Sequence, residues 1–170
     1  MNTSSIHKIK LTFLCIFTFI LVQNGNSATI PVQINNKDSV DINSEIRKGL
    51  DRLNEVLATK DLKTVMSIYD DSNDIIVIGS DSGEVFIGKE RVQEFMKVIV
   101  SMPFIFSFDM DNVIINHDNN NAWVFVDGKM VHTRSDWKVS KIPYRIMAVM
   151  VKQGDDWKWK VFSGSIPRGE

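Results

Sequence analysis

The chain has 170 residues, with 20 basic and 21 acidic side chains and a formal net charge of −1 at pH 7. This balance disfavours nucleic acid or an anionic membrane surface as the main partner. The length is sufficient for one hydrophobic core, and no internal repeat or low-complexity tract divides the sequence.

Residues 1–27 have the pattern of a signal peptide. Lys8 and Lys10 precede an uncharged apolar run over residues 11–22, which is shorter than the roughly 20 residues that a transmembrane helix needs. Small Gly25 and Ser27 suit cleavage after Ser27, and cleavage after Ala28 is the alternative. The pattern predicts a secreted or periplasmic protein without membrane contact after cleavage, and an uncleaved N-terminal anchor is the alternative.

After the leader, a linker is predicted over residues 28–42, where polar residues and Pro31 interrupt any regular period. The folded domain is predicted over residues 43–170. The only cysteine, Cys15, lies in the leader, so the mature protein is expected to depend on its core and not on disulfides.

Three helices are predicted from apolar residues at helical spacing. The first is expected to start near Asn43 or Ser44 and to end near Lys60. Asp61 is a suitable N-cap for a second, short helix. A third is expected over residues 88–102, because the following proline ends it.

The strands follow a different pattern. Two β-branched runs at residues 75–78 and 85–87 flank a glycine-containing turn and predict a short hairpin. The alternation of apolar residues after Pro103 shifts by one near Asp111, which indicates a β-bulge and therefore a curved sheet. Three further long strands are expected near residues 122–134, 143–153 and 157–166.

One face of this sheet needs a cover. Residues 75–78 and 146–151 are apolar on both faces, so a subunit interface is expected to bury the face that the helices leave open. This feature predicts a homodimer.

The order of elements, together with several local segments, resembles the NTF2-like superfamily and in particular its SnoaL-like branch. The segments that carry the resemblance are Ala58 to Leu62, Ser67 to Asp71, Gly88 to Phe95, Ala122 to Phe125 and Trp157 to Trp159. The resemblance implies an α+β fold, a cone-shaped roll in which three helices pack in a strongly curved, mostly antiparallel sheet. It also implies a pocket between helices and sheet, and back-to-back dimers through the sheet.

The superfamily includes isomerases, dehydratases, polyketide cyclases, transport factors and kinase association domains, so the function depends on individual residues. The resemblance to its isomerases would place an aspartate base near Gly79 or Ser80 and a tyrosine near Leu53, and neither group is present there; Asp81 lies one or two residues further on. Asp81 itself lies in an Asp-Ser-Gly turn, where aspartate is common because it caps the backbone.

Four residues are candidates for binding a flat or apolar ligand. Tyr69, Trp123 and Trp159 would stack on the ligand, and Ser163 would supply a hydroxyl. Ser163 is expected to share a strand face with Trp159, because both have the same parity. The alternative for the aromatic residues is a place in the core.

Asp109 and Arg145 are the candidate charged groups. Burial among phenylalanines would raise the pKa of Asp109 and suit it to proton transfer, and the alternative is a place on the wet face beside Ser107. Arg145 would bind a carboxylate in the cavity or pair with an acid at the surface.

The sequence lacks the residues that a metal site or nucleophilic catalysis would require. His117 and His132 have no second histidine at a ligand-like spacing, and the mature chain has no thiol or nucleophile elbow. No metal or cofactor is therefore expected.

The sequence thus predicts an exported, homodimeric NTF2-like domain that binds a small, partly apolar ligand. One alternative is a SnoaL-like cyclase, isomerase or lyase that uses Asp109 with Tyr69 or Arg145. The other is a dimerisation or protein-interaction module, whose interior would be packed solid.

Overall fold

The structure, a computed structural model, describes residues 36–168. The predicted signal peptide and residues 28–35 of the predicted linker lie outside this range. Residues 36–42, also predicted as linker, are helical, because the first helix starts at Asn36. The sequence prediction missed this part of the helix because residues 36–42 are mostly polar and carry no amphipathic period.

Three helices are present in the described part of the chain: α1 (Asn36–Thr59), α2 (Leu62–Met66) and α3 (Lys89–Ser101). Asp61 is the N-cap of α2, as predicted, and its carboxylate accepts a hydrogen bond from the backbone N–H of Thr64 at 2.8 Å. The buried face of α1 consists of Ile46, Leu50, Leu53, Val56 and Leu57.

Six strands form one open sheet, as the α+β prediction requires. Its order is β2-β1-β6-β5-β4-β3, and all neighbours are antiparallel except β1 and β6. The strands are β1 (Ile76–Ile78), β2 (Val85–Ile87), β3 (Phe104–His117), β4 (Asn121–Arg134), β5 (Val139–Gln153) and β6 (Asp156–Ser165). The helices cover the inner face of this sheet, and the opposite face is called the outer face below.

The predicted bulge in β3 is confirmed, because the register against β4 shifts between Asp109 and Asn112. Gly128 lies on β4 opposite this bulge, where a Cβ atom would come within 2.0 Å of the Asp109 carbonyl oxygen. From α1, the Asn54 side chain accepts from the Phe108 N–H at 2.8 Å and donates to the Phe108 carbonyl at 2.9 Å. These bonds protect the free edge of β3.

A second bulge lies in β6 and was not predicted. Val149 pairs with Val161 while Met150 pairs with Trp159, so Lys160 is the extra residue. The parity of β6 changes at this point. Trp157 and Trp159 face inward before the bulge and Phe162 and Gly164 face inward after it, so the prediction that Ser163 shares a strand face with Trp159 is wrong.

Lys160 anchors this bulge to the segment after α2. The Trp159 N–H donates to the Ile68 carbonyl at 2.8 Å, and the Asp70 N–H donates to the Trp159 carbonyl at 2.9 Å. This pairing lies directly after α2, which ends at Met66. The Lys160 ammonium lies 2.7 Å from the carboxylate of Asp70, whose side chain and backbone are together only 5% exposed.

Candidate functional site

A cavity of about 340 Å³ lies between the helices and the inner face of the sheet. α1 contributes Leu53 and Leu57, and α3 contributes Met96 and Ile99. In each pair the residues are three or four positions apart and therefore lie on the same face of the helix. The strands contribute alternate residues. Five phenylalanines form much of the wall: Phe95, Phe104, Phe106, Phe108 and Phe162.

Two tyrosines bring hydroxyl groups to this wall. The Tyr69 hydroxyl lies 3.9 Å from the Met96 sulfur, and its burial raises the pKa of the phenol. Burial also raises the pKa of Tyr144, which lines the cavity together with Ser80. Gly164 makes room for this second ring, because a Cβ atom there would lie 1.9 Å from the Tyr144 oxygen. Both phenols are therefore neutral at pH 7.

His132 lies in the wall between two phenylalanines. Its ring centroid is 5.1 Å from that of Phe104 and 4.8 Å from that of Phe106. The Nε2 atom is buried and has no hydrogen-bond partner among residues 36–168. Because burial lowers the pKa of this histidine, the imidazole is neutral at pH 7.

One end of the cavity is formed by the turn between β1 and β2. Asp81 and Glu84 both line it, and the Glu84 carboxylate accepts a hydrogen bond from the Asp81 N–H at 3.0 Å. Gly79 leaves room for this side chain, because a Cβ atom at this position would lie 1.9 Å from the Glu84 carboxylate oxygen. The cavity thus has an aromatic body and an acidic end.

Comparison with known families identifies this architecture. The sequence profile of the SnoaL-like domain matches residues 46–169, which is most of the chain. The chain belongs to the SnoaL-like domain family. No curated protein matches the sequence.

Solved structures show the same NTF2-like fold as this SnoaL-like domain. An NTF2-like superfamily protein from Salmonella enterica serovar Typhimurium superposes with a TM-score of 0.65 at 18% identity, covering 77% of this chain and 94% of that one. A candidate dehydratase of the NTF2-like family from Streptomyces avermitilis gives 0.67 at 13% identity, covering 78% and 99%. At these identities the likeness establishes the fold alone.

Of the six predicted ligand contacts, Tyr69 lines the cavity of the SnoaL-like domain. Trp159 does not line it. This indole is 1% exposed and donates from Nε1 to the Gly49 carbonyl at 3.2 Å, so it belongs to the core between β6 and α1. The alternative stated for the aromatic residues is correct for Trp159.

The other four predicted contacts lie on the outer face, and their assignment to the pocket is wrong. Trp123 alternates with buried Ala122 and Val124 and is half exposed. Ser163 faces outward because the β6 bulge changes the parity after Trp159.

The charged candidates also lie on the outer face. Asp109 pairs with Lys141 at 2.8 Å, and Arg145 pairs with Asp127 at 3.0 Å. The phenylalanines of β3 point inward, so alternation directs Asp109 outward. The structure therefore does not bring Asp109 or Arg145 together with Tyr69.

Sequence reasoning missed His132 and Tyr144 as cavity residues. A usable signal was present for His132. The inward parity of Ala122, Val124 and Val126 continues along β4 to His132, which pairs with Phe106 on β3. Extending the parity rule to the end of the strand would have placed this imidazole on the inner face.

The described part of the SnoaL-like domain contains no cluster of three or more histidine, cysteine, aspartate or glutamate side chains arranged to hold a metal. Within the same residues, no helix has the length and apolar character required to cross a membrane.

Proposed function

We propose that this SnoaL-like domain is an exported homodimer that binds a small, largely apolar molecule in the cavity, without a metal or cofactor. The cavity itself is the observation that supports binding, because an interior lined by five phenylalanines is open and not packed solid. Open apolar space deprives the surrounding side chains of contacts, and a ligand that fills it restores them.

The size of the cavity limits the ligand. At about 30 Å³ for each water-sized group, 340 Å³ accommodates roughly a dozen non-hydrogen atoms. The flat aromatic walls suit a ring system, and the Tyr144 hydroxyl with Ser80 provides a polar contact at one end. A fused aromatic alcohol such as 2-naphthylmethanol therefore serves as a suitable neutral probe.

We expect 2-naphthylmethanol to bind the wild-type domain in isothermal titration calorimetry and to bind an Ile142→Trp variant at least ten-fold more weakly. Ile142 lines the cavity, so a larger side chain there occupies the ligand's space. Val139→Trp is the matched control, because Val139 is exposed, lies on the same strand and points to the other face. Equal binding to wild type and Ile142→Trp would contradict the proposed site.

The enzymatic alternative with Asp109 has no geometric support. A general acid or base must reach the reacting group directly or through one water, and Asp109 lies across the sheet from the cavity. Arg145 is excluded from the same role by its outer-face pairing with Asp127.

The homodimer is supported by an apolar surface on the outer face, here called the outer patch. It contains five large apolar side chains that are each about half exposed or more: Val85, Ile87, Ile114, Trp123 and Met147. Cross-strand pairs connect them in two rows across the sheet. One row runs through Ile87, Ile76, Val161, Val149 and Trp123, and the other through Val85, Ile78, Ser163, Met147, Phe125 and Ile114. A continuous apolar surface of this kind favours a protein partner.

We expect Met147→Glu to raise the dimer dissociation constant at least a hundred-fold in analytical ultracentrifugation. Met147 is 64% exposed in the single chain, so glutamate is tolerated there, whereas a dimer through the outer patch would bury an unpaired charge. Val98→Glu is the control, because Val98 is half exposed on α3, away from this patch. A Met147→Glu protein that remains dimeric at the same concentrations would place the interface elsewhere.

Export is the remaining part of the proposal and rests on the leader pattern of residues 1–27. Native mass spectrometry of the protein purified from its own source tests export and assembly together. A dimer of chains that begin at Ala28 is expected, and a chain that retains Lys8 and Lys10 would contradict cleavage.

A further inference from the structure

Both formally charged side chains that line the cavity are acidic. Asp81 and Glu84 lie at its polar end, and no lysine or arginine of the described chain lines the wall. Neither carboxylate forms an ion pair with a residue between 36 and 168. The cavity therefore contains negative charge without a matching cation.

An Arg145 side chain that pointed into the cavity would have supplied the missing positive charge. Arg145 is a candidate from the sequence for binding a ligand carboxylate in the cavity, but its guanidinium pairs with Asp127 on the outer face. His132 does not supply positive charge either, since burial keeps its imidazole neutral at pH 7. A ligand carboxylate in this cavity would have no cationic partner and would face two like charges.

The acidic end is close to the polar end of the aromatic wall. Asp81 and Glu84 belong to the same turn as Ser80, and all three residues line the cavity together with Tyr144. The Glu84 carboxylate is held by the hydrogen bond from the Asp81 N–H, and Gly79 leaves room for it because it has no side chain. A cationic group at this end would therefore meet one preorganised carboxylate, that of Glu84, with the exposed Asp81 side chain beside it.

The walls also favour a cation. The faces of aromatic rings attract ammonium groups, and the attraction increases where water is excluded. Phe95 presents one such ring and is held in place by stacking on Phe86, with centroids 4.2 Å apart and an interplanar angle of 14°. Aromatic walls beside carboxylates form a suitable environment for an organic amine.

We propose that the cavity selects a small aromatic or cyclic amine, bound with its ring among the phenylalanines and its ammonium group beside Asp81 and Glu84. This inference rests on the proposed ligand-binding function and specifies the charge of the ligand. It predicts that affinity follows the order amine, alcohol, carboxylate for ligands of the same shape.

Three naphthalene probes with the same ring test this order: 2-naphthylmethylamine, 2-naphthylmethanol and 2-naphthoate, titrated calorimetrically at pH 7 and low salt. We expect the amine to bind roughly ten-fold more tightly than the alcohol, and the carboxylate to bind most weakly. In the double variant Asp81→Asn/Glu84→Gln, the ratio of amine to alcohol affinity is expected to fall towards one. Glutamine retains the acceptor that the Asp81 N–H needs.

The control is Glu90→Gln/Asp155→Asn, which removes two exposed negative charges that do not line the cavity. It should preserve the amine preference. Naphthoate binding as tightly as the amine, or a preference that survives in Asp81→Asn/Glu84→Gln, would overturn the amine inference while alcohol binding still supported the pocket. If none of the three probes binds, the proposed function fails and the amine inference fails with it.

Discussion

Replacing Asp70 with alanine is expected to lower the free energy of unfolding by about 3 kcal/mol, since breaking a buried ion pair by removing one partner strongly destabilises a fold. The Asp70 carboxylate accepts hydrogen bonds from Lys160, Ser72 and Gln153. Lys160 retains Asp74 as a partner, but that carboxylate is largely exposed and its pairing is screened by water. The bulge of β6 would therefore lose its buried anchor.

Asp71→Ala is the matched control for this prediction. Asp71 is the next residue, and its carboxylate also pairs with a lysine, Lys89 at 2.7 Å, but it is 88% exposed. An exposed ion pair contributes about 0.5 kcal/mol, so the control variant should unfold close to wild type in urea. Equal losses for the two variants would show that the Asp70 contacts contribute no more than a surface pair.

Acid titration measures the same carboxylate independently. Burial alone would raise the pKa of Asp70, but hydrogen bonds from Lys160 and Ser72 outweigh it and lower the pKa from 3.8 to about 2. The pKa of Asp70 is lower in the folded protein than in the unfolded chain. Its contribution to the free energy of unfolding is therefore complete above about pH 4 and disappears as the pH falls through 2. It amounts to about 2 kcal/mol. Asp70→Ala should flatten this part of the stability profile.

Much of the fold follows from local periodicity. The third helix, the short hairpin and the β3 bulge were all predictable, because each leaves its mark within a few neighbouring residues. The parity shift near Asp111 is an example, since a bulge displaces the apolar set of its own strand. The α2 N-cap at Asp61 is equally local.

No local sequence pattern indicates the bulge in β6. Trp157, Trp159 and Val161 alternate with lysines as in a regular strand, and the residue that stabilises the bulge, Asp70, is distant in sequence. Ser163 was misplaced for this reason. A register shift that depends on a long-range ion pair cannot be read from the alternation of one strand.

The cavity was misassigned for a different reason. Strands β4 and β5 carry apolar residues on both faces, so periodicity alone does not tell which face the helices cover. Trp123 was assigned to the pocket because it is large and aromatic, whereas the smaller Ala122 and Val124 are the buried residues. Trp123 belongs to the outer patch, which supports the proposed dimer and not a ligand site.

Gly128→Ala is expected to destabilise the domain by about 3 kcal/mol, the upper part of the range for overpacking. The new Cβ atom would lie 2.0 Å from the carbonyl oxygen of Asp109, which is backbone and cannot rotate away. Relief requires β3 and β4 to separate at the bulge. That movement would strain the bonds between Asn54 and the Phe108 backbone, because α1 holds β3 at this point.

Gly154→Ala separates this clash from a general effect of replacing glycine. Gly154 has a φ of 60° but nothing within 4 Å of an added Cβ, so only backbone strain opposes alanine there, about 1 kcal/mol. Urea unfolding should therefore rank Gly128→Ala well below Gly154→Ala in stability. If Gly128→Ala were as stable as Gly154→Ala, the strands would be free to separate at the bulge. In that case the curvature that encloses the cavity would not depend on their close approach at Gly128.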